Sequence, residues 1–178
     1  MAAERANSDT VELLAQLKAD VNTARKDGVT PIWMAAQEAN ADTVELLAQL
    51  KADVNTADKN GTTPIWMAAQ EANADTVELL AQLKADVNTT DEEGTTPICI
   101  AAQRNHLDTV QALINAAADL NAALSIGSMT ISALQGHLSV YELLLANGAD
   151  VAYEALPWDE EPFVTEGGTA TQIWQQRA

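Results

Sequence analysis

The stretch PIWMAAQEANADTVELLAQLKADVNT occupies residues 31–56 and recurs without a single change at residues 64–89. The glycines that precede these stretches and the next related one lie 33 residues apart: Gly28, Gly61 and Gly94. A fixed period of this length is typical of proteins built from stacked structural repeats. We therefore predict an array of similar units and not a globule with one unrepeated core.

The first half of each unit is predicted to be a short helix. In residues 61–93, Thr63 is a favourable cap, and Pro64 suits the first helical position, where its missing N–H costs nothing. The helical pattern ends near Glu71, before a break at Asn73. Each unit therefore begins with a hairpin-like turn that leads into a first helix.

A second helix should follow that break. Asp75 and Glu78 have the spacing of a capping box, in which each side chain satisfies a backbone N–H at the start of a helix. The helix then carries an apolar stripe formed by Val77, Leu79, Leu80 and Leu83. One helix pair cannot cover this stripe, so neighbouring units must do so. This predicts an all-α solenoid of stacked helix-turn-helix units joined by hairpin loops.

The letters GTTPIWMAA at 61–69, VELL at 77–80 and ADVN at 85–88 resemble the repeat unit of the ankyrin family. The resemblance covers about residues 1–151 and implies that family's fold. It divides the chain into a partial repeat (1–27), repeats 28–60, 61–93 and 94–121, a repeat with a shortened hairpin (122–151), and an irregular C-terminal cap or tail (152–178).

The two ends depart from the pattern. Residues 1–8 align with residues 34–41, so the chain is predicted to begin inside a first helix. A natural degenerate cap, a truncated array and an incomplete gene model all explain this start, and atypical terminal repeats favour the first. In the tail, we expect three aromatic side chains to cover the open end of the stack or to dock on a partner: Trp158, Phe163 and Trp174.

In the last repeat we expect one helix from about Ser128 to Leu134. A second is expected from Ser139 to Ala146, stopped by the left-handed turn signal Asn147-Gly148.

Other departures concern the turns. Non-glycine residues stand where the family places the glycine that ends the second helix, which costs about 1–2 kcal/mol if a left-handed conformation is kept: Lys18, Lys51, Lys84 and Ala117. At the turn between helices, Asn40 and Asn73 follow alanines where the family has Gly-His, and asparagine tolerates a left-handed conformation well.

Two tryptophans, Trp33 and Trp66, replace a family histidine that ties neighbouring repeats by hydrogen bonds. One interpretation is that both rings are core. The other is that they line the concave face as an aromatic anchor, because tryptophan dominates binding hot spots.

Composition restricts the partner. The chain has 26 Asp and Glu against 9 Lys and Arg, which gives a net charge of −17. Such a charge repels nucleic acid and anionic membranes and attracts a basic partner. The plainer interpretation is that these acids only solvate helix faces. No apolar run approaches the roughly 18 residues of a membrane span, so no membrane insertion is expected. The cytoplasm is the default compartment, and the start inside a helix leaves an organelle interior open.

The sequence predicts no catalytic or metal-binding site. His106 and His137 stand at the family's structural Gly-His-Leu position, and Cys99 is alone, which leaves neither a disulfide nor a zinc set. No phosphate loop or activated nucleophile is present. We expect no enzyme activity, no metal and no cofactor.

The resemblance implies a protein–protein interaction module or scaffold that uses hairpin tips and first helices. Besides Trp33, Trp66 and the tail aromatics, the candidate contact residues are Lys26, Asp27, Gln37, Glu38, Lys59, Asn60, Gln70, Glu71, Glu92, Glu93, Gln103 and Arg104. The alternative is an accessory subunit of a larger, membrane-bound or other multi-protein assembly, held by its ends or tail.

Overall fold

The computed structural model describes the backbone of residues 2–121 and 136–149 and, within these ranges, the side chains from Asp9 onward. This part of the chain contains helices and no strands, which confirms the all-α prediction. The helices are α1 (Ala2–Gln16), α2 (Pro31–Gln37), α3 (Ala41–Gln49), α4 (Pro64–Gln70), α5 (Ala74–Gln82), α6 (Pro97–Gln103), α7 (Leu107–Asn115) and α8 (Leu138–Ala146).

The first helices α2, α4 and α6 start as predicted. Thr63 caps α4 by accepting a hydrogen bond from the Trp66 N–H at 3.4 Å, and Pro64 follows at the first helical position. Thr30 and Thr96 do the same for α2 and α6. The Thr-Pro pair therefore sets the helix start in all three repeats.

The second helices start two residues earlier than the predicted capping box requires. The cap of α3 is Asn40, whose side chain accepts from the Thr43 N–H at 3.1 Å, and α5 is capped at Asn73. Asp42 and Asp75 lie inside the first turn, so the predicted role of an aspartate as the cap is wrong. In the first turn their carboxylates still face the positive end of the helix dipole.

The helices form two layers. First helices pack on first helices, α2 against α4 and α4 against α6, while second helices pack in the order α1, α3, α5, α7 and α8. Within a repeat, α2 packs on α3, α4 on α5 and α6 on α7. Ile65, Val77 and Leu80 are fully buried, as are their equivalents in neighbouring repeats. The core is therefore continuous from repeat to repeat, as a solenoid requires.

Polar ladders join the repeats along one edge. The Asn22 side-chain oxygen accepts from the Asp53 N–H at 2.8 Å, and Asn55 accepts from Asp86 in the same way and at the same distance. Asn88 continues the ladder in the 94–121 repeat. These bonds link units whose apolar faces are already packed, so they add a directional constraint on how the repeats stack.

In the repeats 28–60, 61–93 and 94–121, two positions hold a non-glycine residue in a left-handed conformation. Lys51 and Lys84 have φ of 72° and 71°, which confirms the strained turn expected after the second helix. Between helices, the left-handed residues are Ala39 and Ala72, at 54° and 62°. The expectation that Asn40 and Asn73 fill this position is wrong, because both occupy the cap position that follows it, where only the Asn40 side chain makes a capping bond.

At the N-terminus, α1 is one unbroken helix. The alignment of residues 1–8 with residues 34–41 predicts a break near Asn7, and none is present. A break there would place Ala6 in the left-handed conformation of Ala39, at a cost of about 1–2 kcal/mol. The helix continues instead, and α1 packs on α3 as a second helix does.

At the other end, α8 stops at Asn147, and Gly148 has a φ of 87°, which confirms the predicted left-handed stop. The expected helix at 128–134 and the tail residues Trp158, Phe163 and Trp174 lie outside the described residues, so the repeat and tail boundaries there remain predictions. None of the described helices is both long and apolar enough to cross a bilayer.

Candidate protein-binding surface

Each hairpin turn is held by one aspartate. Oδ1 of Asp58 accepts from the backbone N–H groups of Asn60 and Thr62, both at 2.9 Å, and Gly61 takes a left-handed φ of 79°. Asp91 does the same for the next turn. The side chains carried by these turns therefore project from a well-defined backbone.

Neighbouring turns lie in direct contact. The Lys59 N–H donates to the Asp27 carbonyl and the Glu92 N–H to the Asn60 carbonyl, both at 2.9 Å. A Cβ atom added to Gly61 would lie 2.9 Å from the backbone nitrogen of Glu92, too close for any other residue without a shift. Glycine is thus needed here for its conformation and for the close approach of the next repeat.

Trp33 and Trp66 are 7% and 6% exposed. The Trp33 indole N–H donates to the Thr62 carbonyl at 3.0 Å, and the Trp66 indole N–H donates to the Thr95 carbonyl at 2.9 Å. Each indole therefore ties its repeat to the next. Burial and this bond favour the core interpretation of the two rings, while a narrow exposed edge remains.

The predicted contact residues at the turns and first-helix ends are at the surface. They are all exposed apart from the half-buried Gln37 and Gln70, and we call them the tip face: Lys26, Asp27, Gln37, Glu38, Lys59, Asn60, Gln70, Glu71, Glu92, Glu93, Gln103 and Arg104.

A groove of about 420 Å³ lies between the turns of the 61–93 and 94–121 repeats, and we call it the tip groove. It brings together six of the predicted residues: Trp33, Asn60, Trp66, Gln70, Glu92 and Glu93. It also includes Thr62 and three residues that the sequence interpretation did not assign to binding: Asp58, Met67 and Asp91. The remaining members of the tip face do not line it.

The three missed residues had a detectable signal. Asp58 and Asp91 stand three positions before the turn glycines, and the Asp-x-x-Gly spacing was interpreted only as turn chemistry. Met67 follows Trp66 in a first helix, an element expected to contribute to binding, but it was not among the predicted contact residues. Only the packing of adjacent turns shows that these side chains share one groove with the predicted ones.

The charge of the turns that form the tip groove differs from that of the preceding turn. All four charged residues of the tip groove are acids, whereas the turn of the 28–60 repeat carries Arg25 and Lys26. There, Arg25 and Asp27 form an ion pair at 2.9 Å with both side chains about half exposed or more. Such a surface pair contributes little stability.

Both histidines make structural bonds. Nε2 of His106 is 3.0 Å from the Gln70 carbonyl, and Nε2 of His137 is 3.0 Å from the Gln103 carbonyl. Asn73 reaches the preceding first helix in the same way, since its amide donates to the Ala36 carbonyl at 2.9 Å. Over the described residues, no three His, Cys, Asp or Glu side chains are placed to hold one metal ion.

Comparison with known proteins agrees with this architecture. A family model described as ankyrin repeats (3 copies) matches residues 1–91 and 83–155. Among curated proteins, none matches the chain. Ankyrin repeats are generally protein–protein interaction modules, and proteins built from them are typically not enzymes. With its stacked helix pairs and these family matches, the chain belongs to the ankyrin-repeat family.

Proposed function

We propose that this chain is an interaction scaffold that binds a partner protein through its tip face. The observation that carries the proposal is the separation of roles along each repeat. In the interior repeats, most large apolar side chains are buried in the stack, whereas the turn and first-helix ends present polar side chains on a hydrogen-bonded backbone. A rigid surface of this kind loses little conformational entropy on binding.

Variation between the repeats supports the same surface. At equivalent positions the turns carry Lys26-Asp27, Lys59-Asn60 and Glu92-Glu93, although the backbone bonds between turns are repeated. The fold does not require these changes of charge. We attribute them to recognition of a partner.

The partner we propose has a basic surface. A chain with a net charge of −17 attracts such a surface and speeds its association, most of all at low salt. The same field disfavours nucleic acid. The cytoplasm is the compartment we propose by default, and imaging of the tagged chain tests it.

A second candidate function has its own observation. Leu13 and Leu14 of α1, and Leu17 just after it, are exposed large apolar side chains at the N-terminal edge of the stack. A neighbouring subunit that covers them would hold the chain by its end, as in an accessory subunit of a larger assembly. Contiguous apolar surface of this kind marks interaction sites.

One capture experiment separates the two functions. Partners of the full chain are recovered from lysate, identified by mass spectrometry and measured again with four variants. The first replaces Gln70, Glu71, Gln103 and Arg104 by alanine, and the second, a control, replaces the exposed second-helix residues Glu45 and Glu78 by alanine. The third lacks residues 157–178, and the fourth carries Leu13→Ser with Leu17→Ser.

Loss of the partner in the first variant alone is the expected result. If that variant still captures the partner but the variant without residues 157–178 or the Leu13→Ser with Leu17→Ser variant does not, the subunit function is favoured. Circular dichroism of each variant checks that the helices are intact.

A further inference from the structure

We propose that the tip groove holds arginine side chains from an extended basic segment of the partner. This inference rests on the proposed function and assigns its partner chemistry to one place on the tip face. The groove lies between two adjacent turns, with Trp33, Trp66 and Met67 among its lining residues and carboxylates on the turns beside them. Its volume of about 420 Å³ is within the range of clefts that bind ligands.

The charged residues that line the groove are all acidic. Asp58, Asp91, Glu92 and Glu93 line it, and no lysine or arginine does. Asp58 and Asp91 are held by backbone N–H groups, so their carboxylates are positioned before any partner arrives. A cationic side chain entering the groove therefore meets negative charge that needs no rearrangement.

The preceding repeat provides an internal comparison. One period earlier, the positions of these four acids are occupied by Arg25, Asp58, Lys59 and Asn60. The turns on both sides keep the same connecting bond, from Lys59 to Asp27 and from Glu92 to Asn60. Folding of the turn therefore does not demand four acids, and their presence in one groove points to recognition of a cation.

The shape favours an extended cation over a metal ion. No three acidic side chains of the described residues converge on one point, so a single ion could not satisfy them. An arginine-containing segment can reach carboxylates on separate turns. Its planar guanidinium pairs with carboxylates in a bidentate manner, which the ammonium of lysine does less well.

The test uses the full chain and a dye-labelled peptide of alternating glycine and arginine, with binding followed by fluorescence anisotropy at low salt. Glu92→Gln with Glu93→Gln should weaken binding about tenfold or more, which corresponds to about 1.4 kcal/mol. Glu45→Gln with Glu78→Gln removes the same charge from the exposed face of the second helices and should change the dissociation constant less than about twofold.

Two further peptides test the chemistry. A glycine–lysine peptide should bind more weakly than the arginine peptide, and a glycine–citrulline peptide, which keeps the shape without the charge, should not bind. Glu92→Lys with Glu93→Lys should abolish binding of the arginine peptide.

Equal weakening by the two double glutamine variants would show a general attraction to an acidic chain and overturn the proposal. Equal affinity for the lysine and arginine peptides, or no saturable binding, would also overturn it. If the captured partner is lost from the Gln70, Glu71, Gln103 and Arg104 variant but kept by Glu92→Gln with Glu93→Gln, the tip face remains the binding surface and the arginine groove is wrong.

Discussion

The decapeptide VELLAQLKAD occurs three times, at residues 11–20, 44–53 and 77–86, and its copies have different environments. Leu47 and Leu80 are 2% and 0% exposed, whereas the equivalent Leu14 is 48% exposed. The interior helices α3 and α5 each have a first helix of their own repeat and a second helix on either side. The same sequence is therefore buried in the interior repeats and exposed at the edge, because packing against a neighbouring repeat is what buries it.

The largest expected effect lies in the interior. Trp66→Ala removes a buried ring and its bond to the Thr95 carbonyl, so we expect the free energy of unfolding to fall by about 3–5 kcal/mol. Trp66→Phe keeps a ring without the N–H and should cost less, about 1–3 kcal/mol. Urea unfolding followed by circular dichroism measures both. Intact stability of Trp66→Ala with lost partner binding would instead support the aromatic anchor.

The matched leucines test the comparison itself. Leu80→Ala should lower the free energy of unfolding by about 2–5 kcal/mol, because it opens a cavity in a fully buried site. Leu14→Ala makes the same change in the same decapeptide and should cost less than about 1 kcal/mol. Similar losses in the same urea titration would show that the edge helix is as closely packed as the interior ones.

The asparagine ladder offers a smaller effect. Asn55→Ala removes the acceptor for the Asp86 N–H and should cost about 0.5–1.5 kcal/mol. Asn22→Ala removes the equivalent acceptor, the one for the Asp53 N–H, at the edge of the stack. There α1 can open locally while the rest of the stack stays folded, so the effect on global unfolding should be smaller. Hydrogen exchange of the Asp53 and Asp86 amides measures the protection of each bond separately. Equal protection factors at the two amides would argue against a weaker edge.

The smallest effect is a gain. Lys51→Gly and Lys84→Gly remove the strain of a lysine in the left-handed conformation. The stability gained should exceed the entropic cost of glycine by less than about 1 kcal/mol, so Tm should rise. Lys18→Gly relieves the same strain at the edge and should raise Tm less. Thermal unfolding in a common buffer compares the three. A lower Tm for both interior variants would contradict the strain argument.

Local signals in the sequence predicted much of this fold. Thr63 and Pro64 were correctly assigned to a helix start because a cap bonds to a backbone group only three residues away. The second helix start was misplaced because Asn73 and Asp75 are both favourable caps, and the turn at Ala72 decides between them. The break expected in α1 is absent, because an unbroken helix avoids placing Ala6 in a left-handed conformation.

The candidate site was predicted only in part. Turn and first-helix positions such as Asn60, Gln70 and Glu92 were assigned from the repeat, and they line the tip groove. Asp58 and Asp91 were not assigned to binding, because their role in the turn explains their presence completely. Their second role arises only where two turns face each other.

By itself, the sequence determined the repeat period, the helix pairs and the strained turn positions, because each depends on residues within one unit. The tertiary structure alone decided which copy of a leucine is core, how the indoles are used and which acids share a groove. The reason is distance along the chain: these features rest on contacts between residues 29 to 37 positions apart, such as Trp33 with Thr62 and Asn73 with Ala36. No short stretch of sequence contains both partners.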